Sequence, residues 1–248
     1  MVNVTDVDDV APAFSSSAIF SAAENQTVIG TVSATDVDTD NASIAFTVSG
    51  SELSITSAGA LTFASAPDYE TKTSYTATVT ASDGTNSTTQ SITVNVTNLN
   101  DNSPVFTSGT TFNANENQTT IGTVAASDAD GETLSYSISG TDASSMSVDS
   151  SSGALTFGAA PDYETKTSYS VTATATDGTN SINQSVTINV TNLNDNSPVF
   201  TSSTTFSVNE NQTTVGTVAA SDADGNTLSY SISGTDAPSI SINASTGA

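Results

Sequence analysis

The chain has 248 residues, of which 26 are Asp or Glu and 2 are Lys or Arg, giving a net charge of −24. So few cations argue against nucleic acid or an anionic membrane surface as a partner, because both are recognised through Lys and Arg. Cysteine is absent, which excludes disulfides, and no run of 18 apolar residues predicts a transmembrane helix. The excess of acids indicates either solubility or a saline habitat, or divalent-cation binding. Charged residues make up only 11% of the chain, so its surface is not coated in acid.

The start of the chain resembles the end of a repeat rather than a leader. Met1–Val10 has neither the basic end nor the apolar stretch of a signal peptide. We interpret it as the last strand of an upstream repeat, so we expect the chain to be a piece of a longer protein.

An internal repeat sets the domain organisation. The sequence NLNDNSPVF occurs at Asn98–Phe106 and Asn192–Phe200, with its prolines 94 positions apart, and a degraded copy lies at Asp6–Phe14. A period of this length matches a free-standing small β-domain. We predict the end of an upstream repeat and its linker over 1–11, complete repeats over 12–103 and 104–197, and a truncated repeat over 198–248.

The elements predicted along each unit are strands. Apolar residues alternate with Ser and Thr in several segments: Ile92, Val94 and Val96; Leu134, Tyr136 and Ile138; Tyr169, Val171, Ala173 and Ala175; Val186, Ile188 and Val190. Asp-Gly pairs such as Asp177-Gly178 predict turns. With about seven short strands per unit, the prediction is an all-β fold: tandem Greek-key seven-stranded β-sandwich, immunoglobulin-like domains in a linear rod. No segment predicts a helix.

Short acidic motifs recur in the same order in each unit. They are Glu-Asn at Glu24, Glu116 and Glu210; Asp-x-Asp from Asp36, Asp128 and Asp222; Asp-Tyr-Glu from Asp68 and Asp162; and Asp-Gly at Asp83 and Asp177. Each motif alone is most often a solvated turn, but chance turns would not keep this order. Carboxylate and amide oxygens are the ligands of calcium, which takes about 6–8 of them. The order, followed by Asn-Asp-Asn-Ser-Pro, resembles the cadherin extracellular repeat over the whole chain.

The resemblance implies calcium ligand sets at the joints between repeats, with about three Ca²⁺ ions at each complete joint. The first joint would use Glu24, Asp68, Glu70, Asn100, Asp101, Asp128, Asp130 and Asp177, with backbone carbonyls of Leu99 and Asn102. The second would use Glu116, Asp162, Glu164, Asn194, Asp195, Asp222 and Asp224, with carbonyls of Leu193 and Asn196. An upstream half-site would use Asp8, Asp9, Asp36, Asp38 and Asp83. Without metal, like charges so close together repel, and the joint should loosen.

Some features depart from the family pattern. The linkers begin with Asn98 and Asn192 rather than Asp, and the upstream linker reads Asp8-Asp9-Val10. Trp is absent, so the strand exchange of vertebrate cadherins, which is anchored by Trp, is not supported. The near-identity of successive repeats resembles cadherin-like arrays of large bacterial surface adhesins more than animal receptors.

The function predicted from the resemblance is a calcium-stiffened adhesion or extender segment. It would belong to an extracellular, membrane-anchored or secreted surface protein and could bind another copy of itself in homophilic adhesion. The alternative is a polysaccharide-binding module with a surface glycan as partner, which would need exposed aromatic side chains although aromatics are only 6% of the chain. Without Cys or His there is no nucleophile–base pair, so we expect no enzyme.

Overall fold

The strands form where the alternation of apolar and hydroxyl side chains predicts them. The computed structural model describes residues 1, 7–38 and 43–248. It divides into two compact units, Met1–Ser103 with Asp128–Glu132, and Pro104–Ser127 with Thr133–Ala248. The described residues of the first unit contain β1 (Ala13–Phe14), β2 (Ile19–Ala23), β3 (Val28–Thr31), β4 (Ala34–Thr35), β5 (Ala45–Val48), β6 (Leu53–Ile55), β7 (Ala60–Phe63), β8 (Ser74–Ser82) and β9 (Ser87–Thr97).

These strands form a two-layered sandwich. One sheet has the order β2-β9-β8-β5 and the other has the order β3-β7-β6, while β1 pairs with β4. Strand β2 runs parallel to β9, with Ala23 opposite Thr97, whereas the other pairings described in this unit are antiparallel. The parallel pairing brings the ends of β2 and β9 to the same edge of the sheet.

The core lies between the two sheets. The inward-facing residues of the β8–β9 hairpin are buried, as the alternation predicts: Val79, Ala81, Ile92, Val94 and Val96. From the facing sheet, Leu53, Leu61 and Phe63 are also buried, and the Phe63 ring meets the Tyr75 ring edge-on with centroids 5.0 Å apart. Apolar burial of this kind is the main favourable term in folding a small domain without disulfides.

The second unit repeats this architecture. Its strands are β10 (Val105–Phe106), β11 (Thr111–Asn115), β12 (Thr120–Thr123), β13 (Ala126–Ser127), β14 (Ser135–Ser139), β15 (Met146–Val148), β16 (Ala154–Phe157), β17 (Ser168–Thr176), β18 (Ser181–Thr191), β19 (Val199–Phe200) and β20 (Ala220–Ser221). The sheets have the orders β11-β18-β17-β14 and β12-β16-β15, and β11 runs parallel to β18. Val171, Val186 and Ile188 are buried at the predicted inward positions.

Residues 201–248 contain little regular structure. Within them, β20 pairs with β19, which lies just before residue 201, and a short 3-10 turn spans Ala237–Ser239; another such turn lies at Ala143–Ser145. Phe206 and Ile232 are 38% and 42% exposed, whereas Ile188 of the preceding repeat is fully buried.

The described strands do not test two parts of the predicted domain organisation, the upstream segment and the repeat boundaries. The upstream segment 1–11 includes residues 2–6, which lie outside the described residues, so the strand expected there is not described. The repeat boundaries at 12, 104 and 198 stay predictions. In the described part of the chain, no helix has the length and apolar character needed to cross a membrane.

Gly59 and Gly50 offer a matched test of the close packing at the start of β7. Both have positive φ, +89° and +81°, but a Cβ on Gly59 would lie 2.1 Å from the Val32 carbonyl oxygen, whereas a Cβ on Gly50 would meet nothing within 4 Å. We expect Gly50→Ala to lower the free energy of unfolding by about 1–2 kcal/mol through left-handed strain alone. We expect Gly59→Ala to lower it by roughly 2–5 kcal/mol, because overpacking adds to that strain. Urea unfolding of both variants measures the difference, and equal losses would contradict this account of the packing.

Candidate metal centre

A buried glutamate lies at the end of β2. The Glu24 side chain is 2% exposed, and its carboxylate accepts hydrogen bonds from the backbone N–H of Tyr69 (2.7 Å) and of Leu99 (2.8 Å). Its own N–H donates to the Thr97 carbonyl at 3.2 Å. A buried carboxylate is costly unless it is hydrogen-bonded. Glu24 therefore joins three segments: the end of β2, the Asp-Tyr-Glu loop and the linker after β9.

Glu116 occupies the same position in the second unit. It is 2% exposed and accepts from the N–H groups of Tyr163 (2.8 Å) and Leu193 (2.6 Å). Its N–H donates to the Thr191 carbonyl at 3.1 Å. The arrangement is therefore a property of the repeat rather than of one copy.

Each buried glutamate belongs to a cluster of four carboxylates. In the first cluster, one carboxylate oxygen from each member lies within 4.8 Å of the others; its members are Glu24, Glu70, Asp101 and Asp130. Asp130 comes from the loop between β13 and β14, and this loop is part of the first compact unit. The second cluster lies wholly in the second unit, and its members are Glu116, Glu164, Asp195 and Asp224.

Amide groups of the linker occupy part of each cluster. In the first, the Asn102 side-chain amide lies 2.9 Å from Asp130 Oδ1, 3.0 Å from Asp101 Oδ1 and 3.3 Å from Glu70 Oε2. The backbone N–H groups of Asp101 (3.0 Å) and Asn102 (2.8 Å) both donate to Asp130 Oδ2. Asn196 makes the corresponding bonds to Glu164, Asp195 and Asp224.

Loss of hydration and the hydrogen-bond donors of the linker shift the pKa values of the clustered carboxylates in opposite directions. Loss of hydration raises the pKa of Glu70 above its usual range, and the negative charges of Glu24 and Asp130 raise it further. Loss of hydration acts in the same direction on Asp130, but the hydrogen bonds from Asn102 lower its pKa overall. The pKa of Glu164 is raised and that of Asp224 is lowered for the same reasons. The glutamate is thus the carboxylate whose charge is least well stabilised.

The chain has no cationic side chain to spare for these clusters. Its two Lys or Arg residues are Lys72 and Lys166. Lys72 pairs with Glu52 and lies 4.3 Å above the Tyr75 ring, and Lys166 pairs with Asp142 and lies 4.4 Å above the Tyr169 ring. Charge balance in the clusters must therefore come from protons or from bound cations.

A third acidic group adjoins the first cluster. One carboxylate oxygen of each of Asp128, Asp130 and Glu132 lies within 4.8 Å of the others. Asp128 Oδ2 is buried and accepts no hydrogen bond, so a bound cation would satisfy it. The Asp-x-Asp motif predicts Asp128 and Asp130 as ligands, but no recurring motif points to Glu132.

Other predicted ligands lie outside these groups. Asp68 Oδ2 accepts from the Thr71 hydroxyl (2.9 Å), and Asp162 Oδ2 accepts from the Thr165 hydroxyl (2.9 Å), so these two stabilise the turn after each Asp-Tyr-Glu motif. Asp177 accepts from the N–H groups at 179 (2.6 Å) and 180 (2.6 Å), within its own turn. Asp222 accepts from the Asp224 N–H at 3.0 Å.

The predicted linker ligands are partly engaged as well. The Leu99 carbonyl accepts from the Asp101 N–H and the Leu193 carbonyl from the Asp195 N–H, both at 3.1 Å, which leaves one lone pair on each oxygen. Asn100 and Asn194 lie in the two linkers, beside the aspartates of the clusters.

The carboxylates of the predicted upstream half-site lie farther apart than those of the two clusters. Among the described residues, its five acids form no group by the distance measure that defines the clusters. The Asp9 and Val10 N–H groups both donate to Asp38 Oδ2 at 3.0 Å, and Asp36 accepts from the Asp38 N–H at 3.0 Å. Asp83 accepts from Thr85 N–H (2.7 Å) and Asn86 N–H (2.6 Å). The Asn86 amide donates weakly to Asp8 Oδ1 at 3.5 Å.

The donor set of the two clusters fits a hard divalent cation. Carboxylate, amide and backbone oxygens are the ligands of Ca²⁺, and neither His nor Cys is present to favour a transition metal.

Four asparagines near the clusters were not predicted as site residues from the sequence. Asn25 and Asn117 donate to the carboxylates of Asp101 and Asp195, and Asn98 and Asn192 donate to the carbonyls of Asp130 (2.8 Å) and Asp224 (3.0 Å). Their polar side chains could have indicated a role at the site, but Asn is so frequent in this chain that single asparagines do not stand out.

We expect Glu116→Gln to lower the free energy of unfolding by about 1–3 kcal/mol in chelator, because the new amide would face a buried backbone N–H instead of accepting from it. Glu210→Gln is the matched control, since Glu210 is the exposed counterpart in the third copy of the Glu-Asn motif, and its effect should stay within about 0.5 kcal/mol. Urea unfolding in chelator distinguishes the two variants. Equal effects would show that the two N–H bonds to Glu116 contribute nothing measurable.

Comparison with known families identifies the fold. The family model described as "Cadherin domain" matches residues 18–97 and 110–191. The human protein "Cadherin EGF LAG seven-pass G-type receptor 2" is 36% identical over 220 residues, covering 80% of this chain and 8% of that protein. Human "Protocadherin Fat 4" is 35% identical over 278 residues, covering 100% of this chain and 6% of that protein. The chain thus spans less than a tenth of the length of these relatives.

Solved structures agree with the strand topology. A protocadherin gammaB7 structure of repeats EC3-6, titled as a cis-dimer, superposes with a TM-score of 0.80 at 29% identity and covers 96% of this chain and 68% of that one. Mouse cadherin-23 EC22-24 superposes with a TM-score of 0.72 at 24% identity, covering 96% and 87% respectively.

These matches confirm the predicted all-β class and its tandem β-sandwich domains. Cadherin domains are extracellular adhesion modules and not enzymes, so the expected extracellular location and lack of enzymatic activity are also confirmed. The proposed bacterial source stays a prediction. The chain belongs to the cadherin family.

Proposed function

We propose that the two carboxylate clusters bind calcium and that the bound ions hold consecutive repeats in a fixed orientation. The observation that carries the proposal is the convergence of Glu24, Glu70, Asp101 and Asp130 within 4.8 Å, in a chain whose two lysines are paired elsewhere. Four carboxylates would each supply at least one oxygen toward the 6–8 ligands that calcium takes, and linker amide and backbone oxygens lie beside them. The ions would supply the charge balance that the protein lacks.

The wider ligand sets belong to the same proposal. Asp128 and Glu132 extend the first cluster, and the unsatisfied Asp128 Oδ2 is a suitable extra ligand. Asp68, Asp162 and Asp177 accept hydrogen bonds within their own turns, so they would contribute through their remaining lone pairs. The number of about three ions at each joint comes from the family resemblance.

The chain's role would be an adhesion or extender segment of a larger surface protein. Asp130 follows β13 in the sequence of the next repeat, so a cation bound by the first cluster would, on this proposal, constrain both repeats. Self-association is the proposed mode of adhesion, which the cis-dimer named for the protocadherin gammaB7 structure supports. Calcium would act on adhesion indirectly, by fixing the relative orientation of the repeats.

Replacing Glu164 by Gln should have opposite effects with and without calcium. Because the pKa of Glu164 is raised, its ionised form is less favourable in the folded than in the unfolded protein, so the charge lowers stability at neutral pH. In chelator at pH 7, Glu164→Gln should therefore raise Tm. The gain should disappear as the pH falls through the raised pKa, where wild-type Glu164 is itself protonated.

With calcium present, the same variant should bind the ion more weakly and lose the advantage in Tm. Glu210→Gln, which removes an exposed charge outside both clusters, should change Tm little in either condition. Differential scanning calorimetry across pH, with calcium and with chelator, measures both arms. A Tm change of the same sign in both conditions would contradict the assignment of Glu164.

Calcium withdrawal should change the small-angle scattering profile of the chain. Asp101→Asn should move the midpoint of that change to a calcium concentration at least about tenfold higher, because it removes one central carboxylate. Asp236→Asn is the control for net charge, since Asp236 is exposed and lies outside both clusters, and its midpoint should match the wild type. Identical profiles in calcium and in chelator would contradict the proposed rigidification.

A further inference from the structure

Three asparagines share an unusual backbone conformation. Asn25, Asn117 and Asn211 have φ of +63°, +61° and +62°, and they are the non-glycine residues with positive φ in the described part of the chain. Asn tolerates this left-handed region better than most residues, but Gly tolerates it at lower cost. Asn at this turn is therefore explained better by its side chain than by its backbone.

In both complete copies, the side chain reaches the linker aspartate. The Asn25 amide donates to Asp101 Oδ2 and the Asn117 amide donates to Asp195 Oδ2, across 76 and 78 positions of sequence. The left-handed turn places the amide there while the backbone N–H groups of Asn25 and Asn117 each donate to a proline carbonyl at 3.0 Å. The backbone of each asparagine is therefore fixed by a hydrogen bond to proline, and its side chain in turn fixes the linker aspartate.

This bond leaves the aspartate able to bind a cation. The second oxygen, Oδ1, accepts from the neighbouring linker amide at 3.0 Å in Asp101 and 2.8 Å in Asp195. An ionised carboxylate has about four lone-pair sites, so each oxygen keeps one after accepting these bonds. The two amides fix the plane of the carboxylate without using up its capacity as a ligand.

We propose that Asn25 and Asn117 are positioning residues for the cation clusters, which orient Asp101 and Asp195 toward the ion without binding it. The inference rests on the proposed calcium function and adds to it a residue immediately after the buried glutamate. Hydrogen-bond partners of metal ligands commonly change metal affinity by about 10–100-fold when they are removed.

The third copy provides an internal control. Asn211 has the same φ as the other two, but among the described residues no hydrogen bond from its side chain to a carboxylate is found. Replacement by Gly has the same backbone consequence at all three positions, because Gly accepts positive φ and adds unfolded-state entropy. Only at Asn25 and Asn117 does it also remove a bond to a cluster aspartate.

The test is calcium titration calorimetry on the full chain as wild type, Asn117→Gly and Asn211→Gly, with unfolding in chelator as the second measurement. We expect Asn117→Gly to weaken binding at one set of sites by about tenfold, and Asn211→Gly to leave binding unchanged.

The outcomes are distinguishable. If Asn117→Gly and Asn211→Gly bind calcium with equal affinity, or if Asn117→Gly binds more tightly than wild type, the positioning role is overturned. If the wild type binds no calcium, the proposed function fails, and the positioning role fails with it. A loss of unfolding free energy in chelator that both Gly variants share measures the effect of Gly on the backbone. Only a loss beyond this shared value is assigned to the missing side-chain bond.

Discussion

The parallel pairing of β2 with β9, and of β11 with β18, is the constraint on which the candidate centres depend. Parallel strands end at the same edge of a sheet, so the residue after β2 lies beside the residues after β9. That places Glu24 next to Leu99, although 75 positions separate them. With antiparallel pairing the glutamate would lie at the opposite edge from the linker, and no cluster could form from these residues.

Because the glutamate is buried, its hydrogen bonds fix the positions of the segments around it. A carboxylate that is 2% exposed must find hydrogen-bond donors, and the Asp-Tyr-Glu loop and the linker each supply one N–H to Glu24. These bonds fix two flexible segments against the sandwich. Glu70 and Asp101, which belong to those segments, are thereby brought close to Glu24.

Much of this fold could be predicted from the sequence, because the alternation that defines β17 and β18 is local and strong. The buried positions Val171, Val186 and Ile188 follow directly from it. The site was predictable only as a set of recurring motifs. Proximity of Glu24 to Asp101 depends on a parallel pairing that local patterns do not reveal, and the bond from Asn25 depends on a left-handed turn. Asp68 was expected as a ligand, yet a threonine three residues later is its partner in this structure.

The carboxylates of each cluster are stabilised unequally, which bears on how the proposed centre would bind calcium. Asn102 stabilises the ionised form of Asp130, which keeps a well-oriented negative charge in place. Glu70 receives only the weakest of the Asn102 contacts, at 3.3 Å, and its pKa is raised. As the pH falls toward the raised pKa of Glu70, a proton there becomes the least costly way to relieve repulsion in the cluster. A bound calcium ion would compete with that proton, so its affinity should fall as acidity increases, and the carboxylate that is least stabilised alone is the one with most to gain from the ion.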